Sequence, residues 1–245
     1  MSQKLKQING ISLNRLYGLN LVTSCQYMVT YLCLNVALSY ILSNSVFVFS
    51  LFTGIYLMSM GLGAFLANRI NFKKENVDQI IIYNALIGML VINPGVSLLM
   101  YFNESLFAHF RNSGTNYLPI TFIIGIILTV LNGLFSGSEL PLFSKLIEGE
   151  DTKQGNFLTR ILTVDYLGTC LGVLVFSFVL FPFWGLINSM AFSQFATVLI
   201  LGVVFAKFPR KTKTYWISYG LLFLISLTLL VFRVKFLTEI NSLSF

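Results

Sequence analysis

The sequence predicts an all-α polytopic membrane protein, a bundle of about seven transmembrane helices with its amino terminus cytoplasmic and its carboxyl terminus outside. Three observations predict it: composition, the length of the apolar runs and the placement of Lys and Arg. Of the 245 residues, 56% are hydrophobic and only 10% are charged, with a mean hydropathy of +0.80. Soluble domains carry about 25% charged residues, so this chain has too little charge to clothe a surface in water. The same arithmetic excludes intrinsic disorder, a secreted disulfide scaffold and a typical soluble enzyme.

A spanning helix needs about 20 mostly apolar residues, because only a helix or a closed barrel satisfies the backbone N–H and C=O groups inside hydrocarbon. Seven runs have that length: Asn20 to Leu42, Val46 to Ala67, Ile80 to Phe102, Leu118 to Ser138, Ile161 to Phe181, Gly185 to Ala206, and Trp216 to Phe236. Barrel strands would be half as long and would alternate polar with apolar residues, which these runs do not. The domain organisation is a cytoplasmic amino-terminal segment (1–19), a seven-helix domain (20–236) and a short carboxyl-terminal tail (237–245). The segment leads into an apolar stretch longer than the ~7–15 residues of a signal-peptide core, and span 1 is expected to be retained.

Cytoplasmic loops carry the excess of positive charge. Thirteen of the sixteen Lys and Arg fall on one side: Lys4, Lys6 and Arg15; Arg69, Lys73 and Lys74; Lys145, Lys153 and Arg160; Lys207, Arg210, Lys211 and Lys213. The other side holds Arg111, Arg233 and Lys235. The net charge of +7 is divided among short loops, so it reports orientation and attraction to anionic headgroups; no continuous basic patch for nucleic acid is visible. The partner implied is a lipid bilayer, and the expected location is a cell membrane, in a bacterium the inner one.

Asn93-Pro94-Gly95 lies near the middle of span 3, where proline removes a backbone donor, so a kink is expected. Such a break either exposes carbonyls to a substrate or merely fits the helix to its neighbours, and the second is the simpler reading. Gly133 and Gly137 make a GxxxG in span 4, Gly168 and Gly172 make another in span 5, and Gly61 and Gly63 thin one side of span 2. Small residues at this spacing let helices approach closely, so spans 2, 4 and 5 are expected to touch through these faces.

Asp165 falls inside span 5 and Glu139 at the end of span 4, both near the cytoplasmic boundary, with Asp165 roughly 6 Å deep. A carboxylate in lipid costs several kcal/mol unless it is paired, faces a wet cavity or lies shallow. One reading pairs Asp165 with Arg160 or Lys145 and lets Glu139 mark a helix end. The other makes the two acids a cation or proton site.

Catalytic constellations are absent: His109 is the single histidine, Cys25, Cys33 and Cys170 form no CxxC or metal cluster, and no phosphate-binding glycine motif occurs. No metal and no cofactor is implied. Asn14, Asn20, Asn35, Asn84, Asn132 and Gln194 are read first as interhelical hydrogen-bonding residues.

Three segments together carry a resemblance. They are Phe49 to Arg69 (FSLFTGIYLMSMGLGAFLANR), Gly137 to Leu142 (GSELPL), and Val164 to Gly172 (VDYLGTCLG) continuing to Phe181 to Leu186 (FPFWGL). They resemble the amino-terminal membrane region of membrane-bound spermidine-synthase-like proteins over residues 46–206. The resemblance implies membrane spans followed, in that family, by a soluble aminopropyltransferase domain with its own glycine-rich and acidic motifs. No position here matches that catalytic motif; what carries over is the acid of Glu-Leu-Pro, Glu139, and that of Asp-Tyr-Leu-Gly, Asp165.

Three functions follow as expectations. The first is a membrane module that anchors, or handles a cationic metabolite for, a separately encoded aminopropyltransferase-like enzyme. The second is a small secondary transporter or exporter of an amine or proton-coupled substrate. The third is a structural or assembly protein, or a truncated paralogue, without chemistry of its own.

Overall fold

A computed structural model describes residues 7–8, 11–42, 44–70, 77–113, 118–145, 154–206, 216–217 and 219–228. The fold is helical. Two short strands, β1 (Gln7–Ile8) and β2 (Ile11–Ser12), pair antiparallel ahead of it with Gln7 opposite Ser12. Then come α1 (Leu13–Leu42), α2 (Ser45–Arg69), α3 (Val77–Ser113), α4 (Leu118–Lys145) and α5 (Gln154–Val175). A π-helical turn over Phe176–Leu180 joins α5 to α6 (Phe181–Ala206), and α7 covers Tyr219–Thr228.

Five helical stretches are long and apolar enough to cross a membrane: Arg15–Leu42, Ser45–Arg69, Ile80–Met100, Pro119–Lys145 and Phe157–Leu186. Large apolar side chains such as Leu57, Phe65, Leu167 and Phe178 stand exposed on them. The fifth stretch runs past the turn expected after Phe181. The chain leaves helical geometry at Gly185 instead, where φ is 67°, a backbone region that costs glycine nothing. Of the expected seventh span, residues 216–217 and 219–228 are described, and residues 218 and 229–236 lie outside the described residues.

α1 is the central helix. It touches α2, α3, α4, α5 and α6, and 67% of its apolar stretch is buried, against 22–50% for the other four. α2 buries a single stripe, Val48, Phe52, Tyr56, Ser59, Gly63 and Ala67, whose three- and four-residue spacing keeps one face on its neighbour α4. The seam is close because it is built of small residues. A Cβ on Gly133 would lie 2.6 Å from Ser59 Cβ, one on Gly137 would overlap the Met60 backbone, and one on Gly63 would overlap that of Leu134.

The glycines of α5 behave differently from the expectation. Gly168 and Gly172 seat α5 on α1, where a Cβ would stand 2.6 Å from Leu21 O and 2.7 Å from Cys25 O. They do not face α2. Gly61, expected to pack, meets nothing within 4 Å. The reason is rotational: Gly63, 200° around the helix from Gly61, already faces α4. Pro94 does not end α3, which continues as helix to Ser113 and takes His109 and Arg111 out of the expected loop. At Gly95 the side chain of Leu128 from α4 presses against the helix.

Candidate functional site

Polar residues on α1 organise the interior. Asn20, Thr23, Ser24, Gln26, Thr30 and Asn35 are all buried, and side-chain hydroxyl and amide groups are tolerated there because neighbouring helices supply partners. Thr30 Oγ1 donates to Asn93 Oδ1 on α3 at 2.9 Å, and Thr197 Oγ1 of α6 donates to Gln26 Oε1 at 2.8 Å. Asn20, Asn84 and Asn132 make the interhelical bonds expected of them, to the carbonyls of Ile161, Phe135 and Tyr27. Asn35 instead turns back to Tyr31 O on its own helix, and Gln194 is buried without a partner. The side chain of Asn14 lies outside the described residues.

The two acids are held by consecutive residues of α1. Thr23 Oγ1 donates to Glu139 Oε2 at 2.9 Å, and Ser24 Oγ donates to Asp165 Oδ1. The carboxylates lie within electrostatic reach of each other and of Tyr56, and Tyr27 is within reach of Glu139. Neither acid forms an ion pair among the described residues. Lys145, one partner considered for Asp165, reaches to the carboxyl-terminal end of α2 and donates to the carbonyls of Ala67, Asn68 and Ile70 at 2.7, 3.1 and 2.5 Å. A helix end leaves such carbonyls without intrahelical donors, and an ammonium satisfies them well.

Glu139 is not at a helix end. α4 runs on through Pro141 to Lys145, which places Glu139 six residues inside it, about 9 Å along the axis. Asp165 is likewise inside its helix, eleven residues into α5, which begins at Gln154. Glu139 is 3% exposed, whereas Asp165 is half-buried.

Asp165 opens into a groove of about 810 Å³ between α2, α4 and α5. Ser136, Gly137, Pro141 and Ser144 line it from α4, Gly61 and Asn68 from α2, and Asp165 is the one charged residue among the described lining. Pro141, on the groove lining, has no N–H to give the Gly137 carbonyl one turn back. Neutral walls around one carboxylate and three hydroxyl residues, Ser136, Ser144 and Thr159, make a surface that attracts cations and repels anions. Gly133 and Gly137 bring α2 against α4 beside the groove, and Gly137 also lines it. Pro94 and Gly95 are not among the groove residues.

Thr23, Ser24, Tyr27 and Tyr56 were not singled out from the sequence. The signal was present for the first two: a β-branched hydroxyl and a serine inside an apolar run whose neighbours Asn20 and Gln26 are also polar.

The chain is similar to polyamine aminopropyltransferases. Relatives include polyamine aminopropyltransferase 2 of Ralstonia nicotianae, 28% identical over 62% of this chain, and polyamine aminopropyltransferase of Leptospira interrogans, 25% identical over 69%. Polyamine aminopropyltransferase 1 of Streptomyces coelicolor is 26% identical over 68%. The matched stretch is 27%, 30% and 27% of those proteins, so the chain spans less than a third of the curated relatives it matches. No family model matches the chain, and no solved structure does.

Proposed function

We propose that residues 20–236 form a seven-span integral membrane domain that anchors an aminopropyltransferase-like partner protein at a cell membrane and gathers a cationic amine for it. The amino terminus is cytoplasmic and the carboxyl terminus outside, and the groove at Asp165 lies toward the cytoplasmic face. The observation that carries the amine reading is the groove itself, about 810 Å³ with a single charged group, a carboxylate, on its described lining. The similarity to proteins named for polyamine chemistry supplies the class of cation. The membrane assignment is supported by five long apolar helices with exposed apolar faces and by thirteen basic residues on one side against three.

Two measurements test it. Purification in mild detergent is expected to recover an aminopropyltransferase-like protein, and labelled 1,4-diaminobutane is expected to bind wild-type protein and to bind Asp165→Asn at least about tenfold more weakly, in line with the loss of a charged hydrogen-bonding partner. Equal binding by wild type and Asp165→Asn would remove the amine reading; the absence of such a protein from the purified material would remove the anchoring one.

A further inference from the structure

The two acids differ in what their hydroxyl partners have to give. Thr23 Oγ1 stands within hydrogen-bond distance of three oxygens: Leu19 O at 3.0 Å, Asn20 O at 3.1 Å and Glu139 Oε2 at 2.9 Å. A hydroxyl has one hydrogen to donate and two lone pairs that accept. Neither carbonyl can donate, and a threonine inside a helix gives its hydrogen back to the carbonyls three and four residues earlier. Ser24, the next residue, has no such contact. Among the described residues its hydroxyl reaches only Asp165 Oδ1, so its hydrogen is free for a carboxylate.

At Glu139 the count comes out the other way. With Glu139 ionised, Thr23 would have to turn its hydrogen onto Oε2, and Thr23 Oγ1 would then face two carbonyl oxygens at 3.0 and 3.1 Å with no hydrogen between. With a proton on Glu139, the carboxylic O–H donates to Thr23 Oγ1 and the Thr23 hydrogen is shared between Leu19 O and Asn20 O, so every one of these short oxygen pairs has a hydrogen in it. No other donor reaches the Glu139 carboxyl among the described residues. The titratable groups within electrostatic reach of it are Tyr27 on α1, Tyr56 on α2 and Asp165 on α5, none of them a cation. The Tyr27 hydroxyl is buried with no partner, and Tyr56 donates to Ser136. An enclosed carboxylate with one neutral donor and no counter-charge is costly, whereas the neutral acid is not, and a proton asks for no cavity in a close-packed seam.

We propose that Glu139 is a proton-binding site: it is a neutral carboxylic acid that donates to Thr23, and the pair of acids carries a single negative charge, on Asp165. The enclosed proton has a consequence for the groove. Two ionised carboxylates within reach of each other repel, and a proton on Glu139 removes that repulsion, so Asp165 keeps its charge where the groove opens. The proton site does not require the amine reading above.

Infrared difference spectra of the full chain in lipid nanodiscs at neutral pH test it. Wild type minus Glu139→Gln is expected to show the carbonyl stretch of a protonated carboxyl, Asp165→Asn to retain that band, and Thr23→Val to move it to higher frequency because the acid loses its acceptor. Where Glu139→Gln does not fold, glutamate with a heavy-isotope carboxyl carbon is expected to shift the band in wild type, and aspartate labelled in the same way to leave it in place. A wild type without the band, a band that vanishes in Asp165→Asn or moves with labelled aspartate, or one that folded Thr23→Val leaves unmoved, overturns the proton site and leaves the amine reading of the groove standing.

Discussion

Replacing Gly133 by alanine isolates the contact on which the groove depends. The new methyl would stand 2.6 Å from Ser59 Cβ, 2.7 Å from Tyr56 O and 3.2 Å from Met60 N. Carbon atoms pack at about 3.5–4.0 Å, so α2 and α4 must part by about 1 Å, and two of the three neighbours are backbone atoms that cannot rotate away. Overpacking of this kind costs about 1–3 kcal/mol, of which alanine's better helix propensity returns about 0.5–1. Gly61→Ala and Gly54→Ala are the controls, since a Cβ at either position meets nothing within 4 Å. Both are expected to be neutral or slightly stabilising. Unfolding titrations from mild detergent into sodium dodecyl sulfate, followed by tryptophan fluorescence, should therefore place Gly133→Ala below wild type and the two controls at or above it. If all three variants unfold together, α2 and α4 do not meet through Gly133, and the groove built on their seam loses its floor.

Three further outcomes follow from the same contacts. Lys145→Met leaves the carbonyls of Ala67, Asn68 and Ile70 without their ammonium donor, and should lower stability by about 1–2 kcal/mol in the same titration, with Lys145→Arg recovering part of it. Thr23→Val removes the hydroxyl from Glu139 Oε2 and should cost about 1–3 kcal/mol, whereas Thr23→Ser should be close to wild type; equal losses would mean that the methyl, not the hydroxyl, matters. A topology reporter fused after Lys74 should be active on the cytoplasmic side and one fused at Phe245 on the opposite side, and the reverse pattern would overturn the threading.

Part of the site was legible in the residues and part was not. Asp165 and Glu139 stand out in any reading of the sequence because charge is rare in apolar runs and costly to bury. Their place within the helices was less legible: α4 runs through Pro141 to Lys145, so Glu139 is inside it, and α5 starts at Gln154, before its apolar run begins. Lys145 was considered as an ion partner for Asp165 at the membrane interface, but the α2 terminus offered it three carbonyls. The GxxxG spacings marked the close faces correctly as close faces; which helix each would meet was set by rotation about the axis, sending the Gly133 pair to α2 and the Gly168 pair to α1.

The sequence by itself determined that the chain folds as long apolar helices, because backbone groups surrounded by so little polar side chain can be satisfied only within a helix or barrel, and the runs have helical length. It also determined where acid could sit. Only the tertiary structure decided that Thr23 and Ser24, adjacent on α1, hold acids from two different helices, and that one acid opens to a groove while the other is enclosed. Those facts depend on helix rotation and on contacts between residues 116 and 141 positions apart, which no local pattern encodes.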